Sequence, residues 1–414
     1  MIKIINQKEC PLCGELYDES DNFCSHHDDD AIKLVYSRDL VKFCPKCGMK
    51  FTEDDNFCSQ HSDELVKLCH INELVKECKV CGAKYPENYN YCVRCHSDNP
   101  LINIIDIVNV KDIETYPNRY YNFKEYPNRF DEIKDLFSQS SKDKFFDFNL
   151  DQSEFDNIVF DIKNTYKNIL DELIEKYYID FNSLNPLEKI LLFSKSFVKT
   201  EYKEGGGDLG HFEFNEIYID DRATAAIQIT TIIHELSHFL LAEILEQIVS
   251  LLLNTDKTDV IEAFVCYTLV CDEFNYLVDE YCAHTVEGRF AVLGYQDYGS
   301  YKSVLANFLK EYSEDYVDVA KSIGNTFAYY IKDIMTSFID EKLREEIKEE
   351  FMKINDVPKY SELQFETSEV LEWQRFSKAI KIILTTNIDN IANNPQDMEK
   401  LKLYAVKFKK NNHG

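Results

Sequence analysis

Cysteine recurs through the first hundred residues of this chain with a period of 34. Cys10, Cys44 and Cys78 open three units, each reading C-x2-C-x10-C-x2-(H or C). The sets are Cys10, Cys13, Cys24 and His27; Cys44, Cys47, Cys58 and His61; and Cys78, Cys81, Cys92 and Cys95. His26 stands beside His27, but the repeat favours His27. Four such donors at this spacing make a closed tetrahedral zinc site, so three structural zinc ions are expected, one per small ribbon (about 8–30, 42–64 and 76–98). Units this short bury too little apolar surface to fold alone, and metal must supply the folding free energy. A disulfide framework is the alternative, and histidine at the fourth place in two units argues against it. Gly14, Gly48 and Gly82 follow the first cysteine pairs, where a tight knuckle calls for positive φ. Tyr17, Phe51 and Tyr85 recur in register, as do Phe23, Phe57 and Tyr91, and they read as a small aromatic core in each unit. Cys69, Cys266, Cys271 and Cys282 fall outside the pattern and read as reduced, mostly buried thiols.

The second constraint is His234-Glu235-Leu236-Ser237-His238. On a helix, residues four apart share a face, so both imidazoles can reach one ion. Glu235, beside the first histidine, is then placed to take a proton from metal-bound water, whose pKa zinc lowers to about 7. Apart from Glu235, no charged residue lies between Arg222 and Glu243. A buried helix carrying two histidines and a glutamate must give them partners, and a metal is the most economical one. The bland reading is a pair of hydrogen-bonded core histidines.

Zinc needs one more protein ligand and an open position for water. The segment 275–290 lies in a second helical stretch that the sequence opens with a capping box at Asp259–Glu262 and stops at Gly294. Glu280, His284 and Glu287 fall at i, i+4 and i+7 on one face. Glu280 is the chosen third ligand, and Ala283 leaves room for the first helix to pack close. His284 is the runner-up ligand. Otherwise it can stabilise the developing oxyanion, with Glu287 orienting a ligand histidine from behind. The alternative is a solvated acidic face with an incidental histidine.

These residues resemble the zincin metallopeptidases. Thr231 through Leu240 match the extended zincin signature, and Glu280 followed by Ala283 is similar to the gluzincin branch. The likeness covers roughly residues 187–294. It implies a protease fold with a mixed sheet against the H-E-x-x-H helix. It also implies an edge strand, Phe212 to Ile219, that pairs with extended substrate backbone, the alternative being a simple structural hairpin. Glu280 lies 42 residues beyond His238, farther than in thermolysin-like relatives. No Met-turn and no third histidine at metzincin spacing is present.

Around this core, Asn185-Pro186 opens a helix through about Ser196. Phe197–Tyr202 reads as a strand, Gly205–Gly210 as a turn and His211–Asp220 as a second strand. Asp156–Tyr178 reads as a helix. The echo Tyr116-Pro117-Asn118-Arg119 and Tyr126-Pro127-Asn128-Arg129 reads as extended or turn. Helices are expected over Ser303–Tyr312, Val317–Glu350 and Glu369–Leu384, then a solvated basic tail at Lys407–Lys410. Tyr295, Tyr298 and Tyr301 are candidate hydrogen-bond donors to a tetrahedral intermediate. The class is α+β: three ribbons (1–100), a linker and helical region (101–184), a zincin-like core (185–298) and a helical region (299–414).

Charge narrows the partners. With 46 Lys+Arg against 74 Asp+Glu the net charge is −28, which repels nucleic acid and anionic membranes. Residues 1–100 hold 12 basic and 18 acidic residues and show no basic patch, so the ribbons read as protein-recognising or regulatory. Leu240–Leu253 is broken by Glu243 and Glu246 and is too short and polar to span a bilayer. No signal peptide is evident, and thiols at metal spacing fit a reducing cytoplasm. The expectation is a cytoplasmic zinc endopeptidase acting on a protein or peptide, with one catalytic and three structural zincs. The competing class is a non-enzymatic zinc-binding adaptor on a zincin-like scaffold.

Overall fold

The computed structural model of the protein describes residues 8–13, 15–18, 20–27, 32–61, 64–78, 80–95, 101–103, 110–113, 129–177, 179–203, 209–292, 299–353 and 369–413. Gly14, the glycines at 205–207, Gly294, Tyr295, Tyr298 and most of the Tyr-Pro-Asn-Arg echo lie outside them. The chain divides into two compact units, Met1–Asn109 and Val110–Gly414.

In the first unit the 34-residue period becomes three copies of one three-stranded antiparallel sheet. Strands β1 (Lys8–Glu9), β2 (Leu16–Tyr17) and β3 (Val35–Tyr36) form the first, in the order β2-β1-β3. Strands β4 (Lys42–Phe43), β5 (Lys50–Phe51) and β6 (Cys69–His70) form the second. Strands β7 (Leu74–Glu77), β8 (Lys84–Pro86) and β9 (Ile102–Asn103) form the third. The strand that closes each ribbon follows its ligand set in the chain. Gly48 and Gly82 have φ of 82° and 67°, as the knuckle requires.

A lysine two residues before each opening cysteine, not singled out in the sequence, ties each ribbon's loop. Lys8 Nζ donates to the carbonyl of Asp21 at 2.7 Å. Lys42 Nζ donates to Asp55 O at 2.8 Å and also to Glu53 O. Lys76 Nζ donates to Glu87 O at 2.6 Å and Tyr89 O at 2.9 Å. The aromatic repeat splits in two. Phe51 and Tyr85 are buried, whereas Phe23, Phe57 and Tyr91 are 58%, 51% and 60% exposed and are not core. Each precedes a buried cysteine, and successive side chains along an extended segment point to opposite sides.

The second unit is mainly helical. In chain order its helices are α1 (Arg129–Leu136), α2 (Gln139–Asp147), α3 (Gln152–Lys176), α4 (Pro186–Phe197), α5 (Ala225–Leu253), α6 (Asp259–Cys271) and α7 (Glu273–Phe290). There follow α8 (Gly299–Phe308), α9 (Glu314–Thr336), α10 (Glu341–Met352), α11 (Trp373–Thr386), α12 (Ile388–Asn393) and α13 (Pro395–His413). Asn185 caps α4 with a full capping box to Glu188, and Pro186 follows it. Helix α5 is long and apolar enough to cross a membrane by composition, but 78% of its apolar window is buried inside the protein. It is the central helix, packed by α4, α6, α7 and the sheet.

The second helical stretch is two helices. Thr258, not Asp259, caps α6 by accepting from Ile261 N, and Asp272 breaks the run and caps α7 by accepting from Asn275 N. Likewise Asp340 starts α10, so 317–350 is not one helix. Close approach of α9 to α7 needs Gly324, where a Cβ would lie 2.8 Å from Val278 O. Lys407–Lys410 belongs to α13, where Phe408 is buried against Phe214 (ring centroids 5.1 Å apart) and Lys407 is exposed. Of the four cysteines outside the repeat only Cys282 is fully buried.

The small sheet is mixed. Strand β10 (Lys199–Lys203) pairs in parallel with β12 (Glu216–Asp220), and β11 (Gly210–Glu213) pairs antiparallel to β12, giving the order β10-β12-β11. The single strand expected over His211–Asp220 is therefore a hairpin, and only its first arm lies at an edge. Phe214 and Asn215, both at positive φ (48° and 64°), make the turn. Neither is glycine, so tertiary contacts must hold it. Asn215 Nδ2 donates to buried Glu262 Oε1 at 2.8 Å, and the Phe214 ring packs on Tyr404 and Phe408.

Candidate metal centres

In each ribbon the four repeat residues bring one ligand atom apiece within 4.8 Å of one another. Sulfur–sulfur separations are 3.7 Å (Cys13–Cys24), 3.6 Å (Cys47–Cys58), 3.6 Å (Cys78–Cys95) and 3.5 Å (Cys81–Cys92). Disulfides would need about 2.05 Å, whereas thiolates on one tetrahedral ion at about 2.3 Å stand roughly 3.8 Å apart. His27 Nε2 and His61 Nε2 are buried with no hydrogen-bond partner, which a metal would supply. Tyr17 and Tyr85 place hydroxyls 3.1 Å from Cys24 Sγ and Cys92 Sγ, able to donate to a coordinating sulfur. The middle unit has Phe51 there and lacks the donor.

In the second unit, α5 and α7 face each other across a cleft of about 920 Å³. Ala283 and Cys282 of α7 are fully buried. His234 and His238 turn Nε2 toward each other at 3.2 Å. Their Nδ1 atoms lie 3.3 Å from Glu287 Oε2 and 2.8 Å from Asp279 Oδ1. With the ring protons on Nδ1, the side on which the carboxylates lie, both Nε2 atoms would present lone pairs to the same point. A proton shared between them or a cation at that point separates the lone pairs, and two nitrogens at 2.0–2.1 Å from one tetrahedral ion sit about 3.3 Å apart. Glu280 Oε2 stands 4.0 Å from His234 Nε2, is buried, and has no hydrogen-bond partner.

The group whose ligand atoms converge contains His284 in place of His238. The Nε2 of His284 is 3.8 Å from Glu280 Oε2, and His234, Glu280 and His284 bring ligand atoms within 4.8 Å of one another. Its own nitrogens are already engaged, Nδ1 with Glu287 Oε2 at 3.0 Å and Nε2 with Ser300 Oγ at 2.8 Å. Asp279 and Ser300 were not among the residues picked from sequence. Asp279 was legible only as the neighbour of Glu280, and Ser300 carried no signal.

Electrostatics follow from burial and crowding. Burial pushes the His238 ring toward neutrality, but Asp279, Glu280 and Glu235 outweigh it and lift its pKa to about 10. Burial raises Glu235 above the usual carboxylate range. Burial also opposes ionisation of Glu280, yet His238, His234 and His284 hold it below that range. Glu280 is thus favoured in its ionised form beside a Glu235 carboxyl that burial makes easier to protonate.

Strand β11 runs along one side of this cleft, from Gly210 to Glu213. A Cβ on Gly210 would come 2.8 Å from Tyr218 O and also strike Thr231 of α5. Glycine thus lets the strand approach the helix beside Glu235. Compared with protein-family models, curated proteins and solved structures, the chain matches none.

Proposed function

We propose that the second unit is a zinc-dependent endopeptidase and that the ribbons hold structural zinc. One juxtaposition carries the reading: the facing histidine pair of α5, the Glu235 carboxylate and a sheet-edge strand share one cleft. His234, His238 and Glu280 would hold the catalytic ion, whose chemistry when bound is to polarise the peptide carbonyl and acidify water. Glu235 takes the proton of the attacking water and delivers it to the leaving amine. Its raised pKa brings it closer to the operating range for both transfers. Strand β11 gives substrate backbone a row of hydrogen-bonding partners, which aligns the scissile bond with little demand on side chains. Asp279 and Glu287 fix the histidine rings.

His284 retains two roles, further ligand or oxyanion donor. With Nδ1–H given to Glu287, its Nε2 accepts from Ser300, so donation to an oxyanion requires the other tautomer or the imidazolium. The ribbons are assigned to recognition of a protein or to regulation, and thiol ligands suit a reducing cytoplasm. The test is Glu235→Gln in the full chain. It should keep about four zinc ions and lose cleavage of an unfolded protein substrate. Undiminished cleavage would overturn the mechanism, and no cleavage by the parent chain would favour the adaptor reading.

A further inference from the structure

The three ribbons are not chemically alike. Seven residues after the opening cysteines stand Tyr17, Phe51 and Tyr85. Tyr17 and Tyr85 hold their hydroxyls 3.1 Å from Cys24 Sγ and Cys92 Sγ. The Tyr85 oxygen accepts the backbone N–H of Arg94 at 3.2 Å, and the Tyr17 oxygen accepts that of Ser25 at 3.1 Å. A phenol oxygen that accepts there can turn its own O–H toward the sulfur. Phe51 is buried at the corresponding place in the middle ribbon, so Cys58 receives no phenol proton from that position.

Each of these sulfurs has a neighbour. Cys47 and Cys58 Sγ lie 3.6 Å apart, against 3.7 Å for Cys13–Cys24 and 3.5 Å for Cys81–Cys92. In every pair the first cysteine is the more accessible: Cys13 is exposed and Cys47 and Cys81 are half-buried, whereas Cys24, Cys58 and Cys92 are buried. An oxidant therefore meets the first sulfur, and the second closes the disulfide. Neither access nor separation favours the middle ribbon. The nucleophilicity of the second sulfur does. A donated hydrogen bond makes a thiolate less basic, and its nucleophilicity falls with basicity along a slope of about 0.4–0.5.

We infer that the middle ribbon is an oxidation site, at which a hydroperoxide joins Cys47 to Cys58 ahead of the corresponding pairs in the other two ribbons and frees the bound ion. The Cys47 thiolate attacks a peroxide oxygen, the O–O bond breaks and hydroxide leaves, so the sulfur is oxidised to a sulfenic acid as the peroxide is reduced. The Cys58 thiolate then attacks that sulfur, the S–O bond breaks, and a second hydroxide leaves as the disulfide forms. Two of the four donors are lost, and a unit that folds on its metal loses its fold with it. The inference rests on reading the ribbons as zinc sites and is independent of the peptidase reading.

The test treats the zinc-loaded full chain with substoichiometric hydrogen peroxide. Released zinc is followed with a chromogenic chelator, and disulfides are mapped by mass spectrometry after the remaining thiols are alkylated. Cys47–Cys58 should be the first disulfide. Phe51→Tyr, which puts a hydroxyl where the other two ribbons carry one, should slow its closure by about 3–10-fold. Tyr17→Phe, the converse change, should speed closure of Cys13–Cys24 by a similar factor, and it decides the matter if Phe51→Tyr fails to load zinc. Zinc content before oxidant is added tests the ribbon reading by itself, and a parent chain whose ribbons take up no zinc overturns both. A loaded chain that first closes Cys13–Cys24 or Cys81–Cys92, or loaded variants that react at the parent's rates, overturn this inference alone.

Discussion

Asp279 holds Oδ1 2.8 Å from Nδ1 of His238, although the carboxylate comes from α7 and the imidazole from α5. The residue next to Asp279 is Glu280, so one turn of α7 brings two carboxylates to the histidine pair of α5. Glu287, two turns on, lies 3.3 Å from Nδ1 of His234. Removing such a support leaves the donor atoms in place but frees a ring. Asp279→Asn should weaken metal binding in the second unit by about 10–100-fold, read by competition with a chelator. Unaltered affinity would show that the contact does not orient the ligand.

Metal uptake should depend on pH with a definite sign. The His238 pKa is lifted to about 10, so without a metal the ring carries a proton through the neutral range. Binding must displace that proton, and affinity therefore falls as pH falls, by about tenfold per unit for each proton released. Chelator competition at pH 6, 7 and 8 checks this. A flat profile would mean the ring is already neutral.

Gly210 is a steric prediction. Any larger residue meets Tyr218 O and Thr231, so Gly210→Val must push β11 off α5. Overpacking of this kind costs about 1–3 kcal/mol. Cleavage should drop by about tenfold or more while metal content is unchanged. Loss of metal instead would place the strain in the helix.

In the ribbons, Lys42→Met removes a nearly buried ammonium from the carbonyls of Glu53 and Asp55. The orphaned carbonyls should destabilise the middle ribbon by about 1–3 kcal/mol. Under graded chelation the variant should then release one metal ion earlier than the parent chain does. Indistinguishable release curves would reduce the tie to a surface contact.

The ligand sets and the α5 site were legible because metal chemistry imposes spacing directly on sequence. The third ligand face was legible because Glu280, His284 and Glu287 share a helical face whether the helix begins at 259 or at 273. The break at Asp272 was missed because it is a capping event inside an otherwise apolar run. The hairpin was missed because its turn uses Phe214 and Asn215, residues that local preference does not place together at positive φ; Glu262, Tyr404 and Phe408 hold them there. Phe23, Phe57 and Tyr91 were misread because periodicity reveals recurrence and does not say which way a side chain points.

The joint at Asp272 separates two duties. Helix α6 shapes the cleft wall and α7 carries the carboxylates that set the histidines, and the two meet at a single non-helical residue. Exchanging Cys266 or Leu269 need not rotate the face that bears Asp279, Glu280 and Glu287. The scaffold is modular at that point: what the cleft accepts can be retooled without disturbing the centre it serves.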